Sequence, residues 1–158
     1  MIHGGQTARA CLLALGVSIA IGPARAAEGT PQIEMGNGEA NMIVVDGLTR
    51  SGRDFVVPSV TVADDAWLVL HPFRDGRPVG EIYAEATFVP AGTHTDITVR
   101  AQTAPMPEEG TPFLVMLHSD LNHDQMFDFV FVDERNVADR AVFEGNRMIA
   151  HIFASPAE

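Results

Sequence analysis

The 158-residue sequence contains no lysine and a single cysteine, Cys11. Its longest apolar run, residues 11–21, is shorter than the roughly 20 residues that a membrane-spanning helix needs. Basic residues are scarce, with 10 arginines against 21 acidic residues, and the formal net charge is −11. An acidic surface of this kind repels nucleic acid and anionic membranes, so neither is expected as a partner.

The first 26 residues have the three parts of a secretory signal peptide. Arg9 supplies a positive charge, residues 11–21 are apolar, and Ala24 and Ala26 are the small residues that a signal peptidase reads. We therefore predict cleavage after Ala26, no membrane span in the exported chain, and a periplasmic or secreted location.

Cleavage would remove Cys11 and leave a chain without cysteine. That excludes disulfides, thiol catalysis, zinc–thiolate sites and cysteine-ligated copper in the exported protein. Residues 27–158 carry eight arginines against 21 acidic residues, a formal charge of −13. Such a chain is long enough for one hydrophobic core and must be held together by that core alone.

The remaining sequence predicts an all-β domain. Residues 27–40 are rich in Gly, Pro and Glu and are predicted to be a flexible lead-in. From residue 41 to residue 158, short apolar runs alternate with turn signals such as Asp75-Gly76 and Gly145-Asn146, and no segment has a helical period. Seven or eight strands at this spacing favour an immunoglobulin-like β-sandwich, with a small β-barrel as the alternative.

Residues 55–153 resemble a domain of unknown function that occurs in exported and cell-surface proteins of halophilic archaea and some bacteria. The resemblance is carried by these segments: 67–72 (Trp-Leu-Val-Leu-His-Pro), 90–99 (Pro-Ala-Gly-Thr-His-Thr-Asp-Ile-Thr-Val), 114–120 (Leu-Val-Met-Leu-His-Ser-Asp) and 127–129 (Phe-Asp-Phe). It implies a β-sandwich at or outside the cell surface, and it implies no activity. This chain departs from the pattern because it is a lone domain behind a signal peptide, whereas relatives often lie within longer surface proteins.

The sharpest chemical pattern lies between residues 120 and 128. Asp120, Asn122, Asp124 and Asp128 place oxygen-bearing side chains at positions 1, 3, 5 and 9 of one loop. Oxygen ligands at this spacing suit Ca²⁺, although Gln125 stands where a helix–loop–helix calcium site needs glycine. The alternative is a polar loop in which these side chains cap turns through their own backbone.

Histidines offer a second, different metal hypothesis. His71 and His118 each end a strongly apolar strand, and neighbouring strands would bring them to the same end of the sandwich, where they would suit Cu or Zn. A small hydrolase is the third hypothesis, but the sequence has no nucleophile elbow, phosphate loop or dinucleotide fingerprint. We therefore predict a non-catalytic binding or structural module, with an extracytoplasmic protein or an envelope component as its partner, and leave open whether Ca²⁺ stabilises it at residues 120–128 or those residues form a polar loop.

Overall fold

The computed structural model describes residues 33–78, 84–102, 108–128 and 139–158. These residues form eleven strands and, within the described ranges, no helix. The strands are β1 (Glu34–Gly36), β2 (Met42–Val44), β3 (Thr49–Ser51), β4 (Asp54–Val62), β5 (Ala66–Arg74), β6 (Arg77–Pro78), β7 (Thr87–Val89), β8 (Gly92–Arg100), β9 (Pro112–Ser119), β10 (Phe143–Glu144) and β11 (Arg147–Ala154).

The strands form two separate sheets. The larger sheet has the order β1-β11-β9-β5-β6, with β10 also paired to β11 and β7 to β5. The smaller sheet has the order β2-β4-β3, with β8 also paired to β4. All strand pairs described in the smaller sheet are antiparallel. Among the described pairs of the larger sheet, only β1–β11 is parallel.

The hydrophobic core lies between these two sheets, which confirms the predicted β-sandwich over a closed barrel. Strand β4 contributes alternate residues to it, and its Phe55 ring lies 5.8 Å from Phe113 of β9 and 6.2 Å from Phe153 of β11. Alternation is the pattern expected of a strand with one buried face. The five strands of eight or nine residues, β4, β5, β8, β9 and β11, each correspond to an apolar or alternating run in the sequence.

The eleven strands exceed the predicted seven or eight because six of them are only two or three residues long. β1 lies inside the segment predicted to be a flexible lead-in, so the sandwich includes residues before Asn41. The turn at Asp75 and Gly76 is confirmed, and both residues have the positive φ that a tight hairpin needs. The predicted signal peptide, residues 1–26, lies outside the described residues.

A second apolar layer, made of side chains of the sheet itself, lies on the outer face of the larger sheet. Leu114, Met116 and Ala150 point away from the main core and pack against residues that include Ala141. Residues 139–142 lie along β9, because Ser119 donates to the Arg140 carbonyl at 2.8 Å and Val142 donates to the Leu117 carbonyl at 2.9 Å. This second layer explains why β5 and β9 are apolar on both faces.

Candidate functional site

The acidic loop begins where β9 ends. Asp120 is only 2 % exposed, and its Oδ2 accepts the backbone N–H of Gln125 at 3.2 Å. His123 and Gln125 have φ values of 56° each, in the left-handed region that side chains disfavour. The loop is therefore a tight turn that Asp120 holds from its buried end.

Asn122 and Asp124 stabilise this turn locally. Asp124 Oδ1 accepts the backbone N–H of Met126 at 2.8 Å, and its Oδ2 accepts the Asn122 side-chain amide at 2.9 Å. Both residues are exposed. Of the four predicted calcium ligands, Asp124 has the turn-capping arrangement, in which a side chain bonds to backbone two residues further on, and Asn122 donates to the Asp124 carboxylate.

Asp139 is the residue that sequence reasoning missed. It is fully buried, and its Oδ2 accepts the backbone N–H of Asp128 at 2.9 Å. Burial raises the pKa of Asp139 to about 6, and repulsion from the carboxylates of Asp128 and Asp120 adds to the rise, while the Asp128 N–H opposes it. No local sequence pattern marks Asp139, because the motif ends at Asp128. The fold brings Asp139 to the site by placing residues 139–142 beside β9.

One oxygen on each of three carboxylates is buried here without a hydrogen-bond partner: Oδ1 of Asp120, of Asp128 and of Asp139. Buried polar atoms normally have a partner, so three such atoms near one another are unusual. Among the residues described, however, no group of three His, Cys, Asp or Glu side chains stands in an arrangement that could hold a metal ion.

His71 and His118, the two predicted histidine ligands, are close together, but they are not at the same end of the sandwich as predicted. β5 and β9 are neighbours but antiparallel, so the strand ends that carry His71 and His118 lie at opposite ends of the pair. The rings nevertheless approach to 5.8 Å between centroids, on the covered outer face of the larger sheet. Burial lowers the pKa of His118 to about 4, which leaves the ring neutral at pH 7. The copper or zinc site remains a prediction.

A carboxylate that accepts four hydrogen bonds lies away from both predicted metal sites. Glu144, in β10, accepts the backbone N–H of Glu39 at 2.7 Å, of Ala40 at 3.1 Å and of Asn41 at 2.8 Å, and also the Asn41 side-chain amide at 2.9 Å. These donors, led by Glu39, lower the pKa of Glu144. One carboxylate thus holds residues 39–41 against β10, which lies more than 100 positions later in the sequence.

A cavity of about 310 Å³ lies beside this carboxylate, lined by Gly38, Glu39, Glu144, Asn146 and Arg147. Since Glu144 already accepts four hydrogen bonds, it is a structural anion and not a free base. The described residues also contain no helix long and apolar enough to cross a membrane.

Comparison with known proteins gives the family of this chain. A stretch of 78 residues, 49 % of this chain, is 31 % identical to a part of cell surface glycoprotein 1 of Haloarcula hispanica. That stretch spans only 8 % of the relative's length. No solved structure matches the chain. Residues 41–153 match a domain of unknown function, DUF7282, and the chain therefore belongs to that family.

Proposed function

We propose that this protein is a non-catalytic structural module of the cell envelope, exported to the periplasm or the cell exterior. The observation that supports it best is the similarity to part of a cell surface glycoprotein, in a family defined by its domain and not by an activity. A sandwich with apolar layers on both faces of its larger sheet suits a module that must remain folded outside the cell without disulfides. Its partner would be an extracytoplasmic protein or an envelope component.

Export can be tested in the native host with a C-terminal epitope tag. We expect the tagged protein in the extracytoplasmic fraction, shortened by the mass of residues 1–26. The control is the same gene without codons 2–26, which should yield cytoplasmic protein. The proposal would be contradicted if the tagged protein kept its full length and was found in the cytoplasm, as the control is.

Calcium binding is a second candidate function, and the buried carboxylates favour it. Asp120, Asp128 and Asp139 each have one buried oxygen that no donor satisfies, and Asp139 is surrounded by negative charge. Ca²⁺ prefers carboxylate and carbonyl oxygens in flexible arrangements. Small movements of the three side chains around an ion would satisfy all three oxygens and remove their mutual repulsion. This set keeps Asp120 and Asp128 from the predicted ligands and replaces Asn122 and Asp124 by Asp139.

Thermal unfolding of the exported protein, with chelator and then with excess Ca²⁺, tests the revised ligand set. An ion that binds only the folded state raises the unfolding midpoint by mass action. We expect Ca²⁺ to raise the midpoint of the wild type and of Asp124→Asn, and to leave Asp139→Asn unchanged. Asp139→Asn keeps an acceptor for the Asp128 N–H and removes a repelled charge, so this variant should fold in chelator.

Two results would count against the calcium site. The first is a wild-type midpoint that Ca²⁺ does not change. The second is a calcium response that Asp124→Asn abolishes and Asp139→Asn retains, which would restore the loop motif read from the sequence.

A further inference from the structure

The first and the last strands of the described residues, β1 and β11, are neighbours and run parallel. β1 pairs with β11 in the register Glu34 with Arg147, Met35 with Met148 and Gly36 with Ile149. The pairing is extended by a backbone bond from Glu34 N–H to the Asn146 carbonyl at 3.2 Å. The chain therefore enters the sandwich at one end of this strand pair and leaves β11 at the other end.

This direction decides how the pair responds to tension. A pull on the chain before β1 and a pull on the chain after β11 act in opposite directions along two parallel strands. The strands must then slide past one another, and the evenly spaced hydrogen bonds of a parallel pair are loaded together. If the same two strands were pulled from one end, their hydrogen bonds would break one after another.

Side chains add a second set of bonds along the same seam, defined here as residues 34–41 and their partners in residues 144–151. Arg147 donates to the Asn37 carbonyl at 3.1 Å and to Glu34 Oε2 at 3.3 Å. His151 bonds through Nε2 to Asn37 Oδ1 at 2.8 Å. With the four bonds that Glu144 accepts, the seam has polar links along its whole length.

The far end of β11 is fixed as well, so a load cannot strip that strand from the sheet by peeling. Five residue pairs join β11 to β9, from Ala150 with Met116 to Ala154 with Pro112. Beyond β11, Ser155 donates to the Thr111 carbonyl at 2.7 Å and accepts from Gly110 N–H at 2.9 Å. Load applied after β11 therefore reaches the β1–β11 seam.

We propose that the β1–β11 seam is a force-bearing clamp, which lets the domain transmit tension between the chain that enters β1 and the chain that leaves β11. The proposal relies on the proposed function only for the source of the tension, which is the attachment of an envelope module. Resistance to force is a property of the seam itself, and forced unfolding is governed by the unfolding rate and not by overall stability.

Single-molecule pulling of the exported protein tests this clamp in two geometries. Handles attached at Ile33→Cys and Ala157→Cys load the seam by sliding, while handles at Ile33→Cys and Asn146→Cys peel β1 from the start of β11. Both pairs use exposed positions, and the only natural cysteine lies in the predicted signal peptide. We expect a severalfold higher rupture force in the sliding geometry.

Glu144→Ala supplies the matched variant, with Glu109→Ala, an exposed glutamate in the turn before β9, as its control. We expect Glu144→Ala to lower the sliding force and Glu109→Ala to leave it unchanged. Should Glu144→Ala fail to fold, Glu34→Pro takes its place, because it removes the β1 N–H that donates to the Asn146 carbonyl and lies outside the hydrophobic core. Equal rupture forces in the two pulling geometries would contradict the proposal. So would a seam variant whose rupture force in the sliding geometry equals that of Glu109→Ala. Neither result depends on where the cell places the protein, so export is tested separately.

Discussion

The carboxylate of Glu144 occupies the space beside Gly38 where a β-carbon would lie. Gly38 has no side chain, so the carboxyl group can approach the backbone closely enough to accept the N–H groups of the residues that follow. The absence of a side chain at position 38 is therefore a condition for the four-bond arrangement.

Gly38→Ala should displace Glu144 and weaken the seam. Gly38 does not have the left-handed backbone that would strain an alanine, so the effect should come from the collision with Glu144 alone. We expect the unfolding midpoint to fall by several degrees. Combining Gly38→Ala with Glu144→Ala gives the control: with the carboxylate gone, Gly38→Ala should cost nothing further. If Gly38→Ala lowered the unfolding midpoint equally in the wild type and in Glu144→Ala, the collision with the carboxylate would not be the cause.

The seam should weaken in acid in two steps. Burial lowers the pKa of His151 below its ordinary 6.5, so the folded protein binds this proton less readily than the unfolded chain, and stability should fall as the pH drops below about 6.5. The pKa of Glu144 is lowered below its ordinary 4.5 by donors led by the Glu39 N–H, so its stabilising contribution is present above that value and is lost as the pH falls through the folded pKa.

Chemical unfolding measured from pH 7 to pH 3 checks both steps. His151→Gln should make the decline shallower in the upper window, although it remains there because the pKa of His118 is also lowered, to about 4, and Glu144→Gln should make it shallower in the lower window. A pair of variants whose pH profiles run parallel to the wild type would show that neither group is responsible.

Phe55 should be the most sensitive core position of the smaller sheet. Its side chain is 1 % exposed and lies against Phe113 and Phe153 from the larger sheet. Truncation of a fully buried phenylalanine to alanine costs about 3–5 kcal/mol. We expect Phe55→Ala to lower the free energy of unfolding by this amount in urea, whereas Phe143→Ala, at a 45 % exposed position, should change it little.

Trp67, the single tryptophan, should report on the covering layer of the larger sheet. Its ring lies 5.6 Å from Phe127 and 5.2 Å from Phe88, and only 7 % of the residue is exposed. Phe127→Ala opens one side of the ring, so we expect a red-shifted emission maximum in the folded protein. The same measurement on Phe143→Ala should show the wild-type maximum, and an unshifted Phe127→Ala spectrum would mean that other residues keep water from Trp67.

Apolar patterning predicted the long strands because each buries at least one face. β4 alternates on either side of a break at Pro58 and Ser59, and β5 and β9 are almost entirely buried because each is covered on both sides. β1 has no such signal: two of its three residues are exposed, and its partners are more than 100 residues away. A local pattern cannot show a strand that long-range hydrogen bonds hold in place.

The acidic site was predictable only in part, for a similar reason. Asp120 and Asp128 belong to a motif of regular spacing, but the same spacing lets Asn122 and Asp124 bond to each other and lets Asp124 bond to the nearby backbone. Asp139 joins the site because residues 139–142 run along β9, a pairing that the sequence does not reveal. Sequence separation therefore limited the prediction more than residue type did.

Residues 34–41 contribute nothing to the hydrophobic core, although hydrogen bonds fix them firmly. Detaching them would expose almost no apolar surface, so the opening should depend only weakly on denaturant, unlike global unfolding. Residues 34–41 would then behave as a separate cooperative unit in native-state hydrogen exchange. The amides of residues 34–41 should exchange at a rate insensitive to low denaturant, while those in the centre of β5 should follow the unfolding of the whole sandwich.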